Sequence, residues 1–127
     1  MHSILVERAL QFICPYAPLE ISRRMYYRSK WTPERFQPDA VRPNEPWWHL
    51  GRIEFFVREI REGRPLDPIS IDMRWNHMSP TGLVLIDGHH RLCAADIMGV
   101  TRIPCEYGGL VDTLTWLEGQ SDRAPCF

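Results

Sequence analysis

Apolar residues recur at threes and fours through Trp47, Leu50, Ile53, Val57 and Ile60, the spacing of one face of a helix. Asn44 stands where it can cap this helix, Glu45 and Pro46 suit its first turn, and Gly63 supplies a stop, so a helix is predicted over about 46–62. Pro65 and Pro68 then lead into Ile69, Ile71 and Met73, whose strict alternation predicts a strand. Asn76 to Gly82 has the composition of a loop that turns the chain back. The continuous run Leu83 to Ile86 predicts a strand covered on both faces, ending at Asp87-Gly88. A helix follows through Leu92, Ala94, Ala95, Ile97 and Met98 and stops at Gly99. Thr101 to Tyr107 reads as another strand and Leu110 to Glu118 as a last helix. Residues 41 to 107 therefore predict a compact α/β unit.

The N-terminal third is patterned differently. Ser3 and Glu7, with Ile4, Leu5, Ala9, Leu10, Phe12 and Ile13, predict a short helix stopped by Pro15. Six of the eleven prolines fall between Cys14 and Pro46, among rings and charges, which suits an ordered wrapping segment. Within it, Leu19 to Arg28 is compatible with helix or strand, and Phe36 to Val41 reads as a short extended piece. The expected organisation is an N-terminal helix and wrapping extension over 1–35, a domain over 36–118, and a mobile tail over 119–127.

With 127 residues, the chain suffices for one hydrophobic core and not for two ordinary domains. No apolar run is long enough to cross a bilayer and the first stretch lacks the features of a signal peptide, so no membrane partner and a cytoplasmic location are expected. The net charge of −1 gives no global field for nucleic acid. Arg23, Arg24, Arg28 and Lys30 do cluster beside Tyr26, Tyr27 and Trp31, a mixture that single-stranded nucleic acid can use and that a solvated face also produces. Cys14, Cys93, Cys105 and Cys126 form no CxxC pair or common zinc spacing. Cys93 and Cys105, set in apolar stretches, are expected as small buried side chains.

The chemistry concentrates in Asp87-Gly88-His89-His90-Arg91. A strand, a tight glycine turn and a helix start place unpaired N–H groups and the positive end of a helix dipole at His89 to Arg91, which favours an anion. Gly88 permits close backbone approach, His89 and His90 add donors, and Arg91 can grip a phosphate bidentately. Asp87 can orient a histidine, hold Mg²⁺ beside phosphates, or cap the helix. The purely structural alternative is a capped turn in which one histidine is buried and Arg91 pairs with a carboxylate. A zinc site is disfavoured, because adjacent His89 and His90 point apart and no third ligand is fixed.

Beyond that turn, RPLDPISID followed by a hairpin and GLVLIDGHHRLCAADIMGVTRIPCEY resembles the core of the ParB/sulfiredoxin superfamily over about residues 36 to 107. The shared order is a helix ending in glycine, a Pro-Ile strand, a strand into a Gly-x-x-Arg turn, an alanine-rich helix, glycine, and a strand opening with Ile-Pro. The resemblance implies an α/β (α+β) fold with a small mixed sheet and helices packed on it. His89 stands where sulfiredoxins carry their reactive cysteine, so peroxiredoxin repair is not implied. The glutamate of the partition ParB turn is absent, which weighs against CTP hydrolysis of that kind.

The Asp-Gly-His-His-Arg form is most similar to the free serine kinases of this superfamily. That likeness implies a nucleotide, ADP or ATP with CTP as the alternative, bound with Mg²⁺. It implies phosphoryl transfer to a small hydroxyl compound or nucleotide hydrolysis, with Glu45 as base and Asp87, Gly88, His89, His90 and Arg91 around the phosphates. Catalytic roles fall on Glu45, Asp87 and His90, and the metal on Asp87. An acid in a helix's first turn is also stabilising without catalysis. His49, one turn further along, either lines the site or is packed; Trp47, Trp48 and Trp75 read as core or rim packing. Asn76 and His77 have no assigned role. The competing readings are a ParB-like DNA-binding or nuclease module of a mobile element, working through the turn and the Arg23 to Lys30 cluster, and a partner-binding module without catalysis.

Overall fold

The computed structural model describes residues 1–29 and 45–127. The fold is a mixed α/β arrangement whose four-stranded sheet has the order β1-β4-β2-β3, with β1 at His2–Leu5, β2 at Ile69–Asn76, β3 at Ser79–Asp87 and β4 at Arg102–Gly108. β2 runs parallel to β4, while β1 pairs antiparallel with β4 and β3 antiparallel with β2. The helices are α1 (Val6–Ala9), α2 (Arg23–Arg28), α3 (Pro46–Arg61), α4 (His89–Met98) and α5 (Val111–Leu117), with a 3₁₀ turn at Ala17–Leu19. Among the described residues no helix is long and apolar enough to cross a membrane.

The alternation in β2 buries Ile69, Ile71 and Met73, and Leu83, Leu85, Ile103, Cys105 and Ile4 of the other strands join the same core. α4 lies between this core and a second one. Its Leu92 and Ala95 face the sheet, and its Cys93 and Ala94 pack with Leu50, Ile53 and Val57 of α3 and with Ile21 and Tyr26 from the N-terminal segment. A helix covered on both sides needs apolar residues all round, and small ones let α3 approach closely, which accounts for the run Leu-Cys-Ala-Ala.

Several expectations are corrected. The helix predicted from Ser3 to Ile13 is instead β1 followed by the short α1, because Ile4 pairs with Ile103 across the sheet, a partner no local pattern reveals. The loop predicted from Asn76 to Gly82 is mostly strand: Asn76 pairs with Ser79, leaving a two-residue turn in which His77 takes the left-handed conformation. β3 is an edge strand and is not covered on both faces: Leu83 and Leu85 are buried while Ile86 is 58% exposed.

The remaining elements follow the sequence closely. Leu19 to Arg28 resolves into the end of the 3₁₀ turn and α2, whose N-cap Ser22 accepts a hydrogen bond from the Met25 amide at 3.1 Å. α3 ends one residue short of the prediction, and its N-cap is Glu45. Asn44, Lys30 and the extended piece Phe36 to Val41 lie outside the described residues. Gly99 ends α4 in the left-handed conformation.

At the termini, the first residues are a strand of the sheet rather than an appendage. Residues after Gly119 lie against α1: Arg8 donates to the Ser121 carbonyl at 2.6 Å, and the Phe12 and Phe127 rings meet edge to face at 5.2 Å. Cys93 and Cys105 are fully buried, and burial raises both thiols, Cys105 to about 11, so neither is poised as a nucleophile.

Candidate functional site

The turn between β3 and α4 is built on the start of β2. Gly88 adopts φ 99°, and a Cβ there would lie 2.6 Å from Ile69 Cγ2, so only glycine fits both the backbone and the space. One residue earlier, the Pro68 carbonyl accepts a hydrogen bond from Arg91 at 2.6 Å, while the other terminal nitrogen of Arg91 meets Asp87 at 3.2 Å. Arg91 is thus the clamp that holds the turn against β2, and its side chain is only 13% exposed against 74% for Asp87. The first α4 ladder bond runs from the Leu92 amide to the Gly88 carbonyl, and no side chain caps the helix. The amides of His89, His90 and Arg91 therefore precede the ladder, with the positive end of the dipole.

Facing this turn is α3. The His49 and His90 rings lie nearly parallel with centroids 5.1 Å apart, and His49 Nδ1 and His90 Nε2 are 2.8 Å apart. One ring donates and the other accepts, and Trp48 sits edge-on to both. His90 is lowered to about 4, first by burial and then by repulsion between its protonated form and the basic groups His49, Arg52, His89 and Arg91. His89 is lowered by burial, against the opposing pull of Asp87. Both rings are neutral at pH 7, so positive charge here comes from arginine.

A cleft of about 210 Å³ opens at the turn, lined by Asp87, Gly88, His89, His90 and Arg91 together with Arg52 and Phe56 of α3 and Leu19 of the N-terminal segment. The five turn residues named from the sequence are all brought to it. Glu45 is not among the lining residues: it is exposed, caps α3 without a side-chain hydrogen bond, and stands one turn before His49. Arg52, Phe56 and Leu19 were missed. Arg52 had a faint signal, since it follows His49 by three on the same helix. Its guanidinium lies 5.4 Å from the Phe55 and Phe56 ring centres.

Of the basic cluster, Arg23 is engaged, 3.5 Å from Asp96 and 3.3 Å from the Tyr27 hydroxyl, whereas Arg24 and Arg28 are exposed. Trp75 and His77 are exposed at the hairpin and do not line the cleft. Among the described residues no group of three or more His, Cys, Asp or Glu side chains is arranged to hold a metal ion. No protein-family model, curated protein or solved structure matches the chain.

Proposed function

We propose that the cleft at the start of α4 binds the phosphate of a nucleotide, in a protein of ParB/sulfiredoxin type. The observation that carries this reading is convergence: the first residues of α4, whose amides precede the ladder, line one small cavity together with Arg52, and their imidazoles, His89 and His90, are neutral. Arg52 replaces Arg91 as the principal phosphate cation, because the two hydrogen bonds of Arg91 to Pro68 and Asp87 commit it to holding the turn. Asp87 supplies one exposed carboxylate, which suits a Mg²⁺ that arrives with phosphates and keeps several waters. At about 210 Å³ the cavity falls below the roughly 300–1,000 Å³ of ordinary ligand pockets, a size for the phosphate end of a nucleotide with the rest outside.

Phosphoryl transfer to a hydroxyl is the reaction class this proposal favours, with nucleotide hydrolysis as the variant in which water accepts. Catalysis of either kind consists mostly of positioning and charge neutralisation. Glu45, exposed and outside the cleft lining, is the proposed base on the strength of the family resemblance, and His90 is a positioning residue because its Nε2 is taken up by His49. Exposed Arg24 and Arg28 leave oligonucleotide binding as the competing outcome.

The test is thermal denaturation with ADP, ATP and CTP, each with and without Mg²⁺. Ligand at a hundred times its dissociation constant should add about 2.7 kcal/mol of stability. Arg52→Gln should abolish the shift without lowering the stability of the free protein by more than about 0.5 kcal/mol. Glu45→Gln should keep the shift and lose turnover. Absence of a shift with every nucleotide would overturn the proposal, and salt-sensitive oligonucleotide binding in its place would favour the nucleic-acid reading.

A further inference from the structure

Six of the eight residues lining the cleft are the polar turn and Arg52; the other two, Leu19 and Phe56, are carbon only. They come from distant parts of the chain, and each is fixed from its protein side. The Leu19 amide donates to the Tyr16 carbonyl at 3.1 Å, and the Tyr16 hydroxyl donates to Asp96 on α4 at 2.6 Å, which fastens the 3₁₀ turn to the helix that carries the site. The Phe56 ring is set edge-on to Phe55 at 5.2 Å and stacked by Arg52. Both side chains are half-buried, so each leaves carbon surface wet at the cleft. A free phosphate among the polar groups would leave that surface wet, whereas a ligand with an apolar body would cover it.

We propose that Leu19 and Phe56 form a specificity wall, and that the acceptor is a small hydroxyl compound with a flat or branched apolar body: its oxygen bonds to the terminal phosphorus of the nucleotide as the bond to the bridging oxygen breaks, the nucleotide shortened by one phosphate leaves, the hydroxyl proton goes to Glu45, and the product is held as its phosphate monoester. The inference rests on the phosphate reading above and goes beyond it by naming the acceptor class. It also gives the N-terminal segment a role in the site: Tyr16 and Asp96 hold Leu19 in place as one wall of the cleft.

Isothermal titration with inorganic phosphate, glycerol 3-phosphate and phenyl phosphate separates the alternatives. Phenyl phosphate is expected to bind about tenfold more tightly than glycerol phosphate, a difference of about 1.4 kcal/mol. Leu19→Gln should bring the two within about threefold. Equal affinities of all three ligands for the wild type would overturn the wall and leave phosphate binding intact. A preference for phenyl phosphate that survives Leu19→Gln would overturn the role of Leu19. No binding of any of the three would remove the phosphate reading itself. Should Leu19→Gln fail to fold, the wild-type ligand series alone still decides whether an apolar body is preferred.

Discussion

The two sides of α4 are packed by different rules. Toward the sheet, Leu92 and Ala95 meet Ile69, Ile71, Leu85 and Ile103, aliphatic side chains from strands brought together across the whole sequence. Toward α3, the apolar contacts of Cys93 and Ala94 are interleaved with polar ones: His49 against His90, Tyr26 donating to Glu54 at 3.0 Å, and Tyr16 to Asp96. Among the described residues, the buried histidine and the buried carboxylate, His49 and Glu54, both belong to α3. An aliphatic layer is non-directional and supplies most of the stability, while hydrogen-bonded polar pairs fix orientation at a smaller net gain. The cleft opens where the second kind of packing reaches the end of α4, which is where side chains must be held at fixed angles.

The largest expected effect joins the two sides. Gly88→Ala drives a Cβ into Ile69 of the sheet core at a left-handed backbone position, and should cost about 3 kcal/mol or more in urea denaturation. A loss under about 1 kcal/mol would mean that the turn is not locked to β2.

Next in size is a pH effect centred on the α3 side. His90 is held below its ordinary value, to about 4, so between pH 4 and 6.5 the unfolded chain binds more protons than the folded one. Its contribution is complete above pH 6.5 and is lost as pH falls toward 4, by at most about 1.4 kcal/mol per pH unit. His90→Gln should flatten that part of the stability profile. An unchanged profile would show that the imidazole pair is not desolvated.

The smallest change sharpens the contrast. Tyr26→Phe leaves Glu54, 3% exposed, without that donor and should cost about 1–2 kcal/mol, with phosphate binding unaltered. A larger loss, approaching that of an aliphatic core deletion, would erase the distinction between the layers.

Much of this was legible in the residues. α3, α4, β2 and the Asp87-Gly88 turn were all announced by local signals: threes and fours, alternation, proline entries and glycine stops. The structural alternative also anticipated a carboxylate partner for Arg91, which the fold supplies as Asp87, four residues earlier. The errors share one cause. Ser3 to Leu5 resembles a helix start until β4 supplies a partner, and Asn76 to Gly82 has loop composition until pairing with β2 draws it into a strand. Strand formation depends on pairing and packing more than on local preference.

What the sequence determined by itself was therefore the order of elements and the polar turn, since helix periodicity, alternation and glycine at a left-handed position are properties of neighbouring residues. Only the tertiary structure decided that His49 meets His90 across 41 positions, that Arg91 is a clamp while Arg52 faces the cleft, and that Leu19 closes one side of it. Those contacts join segments far apart in the chain, and their choice rests on how the sheet and α3 pack on the two sides of α4, which no local pattern encodes.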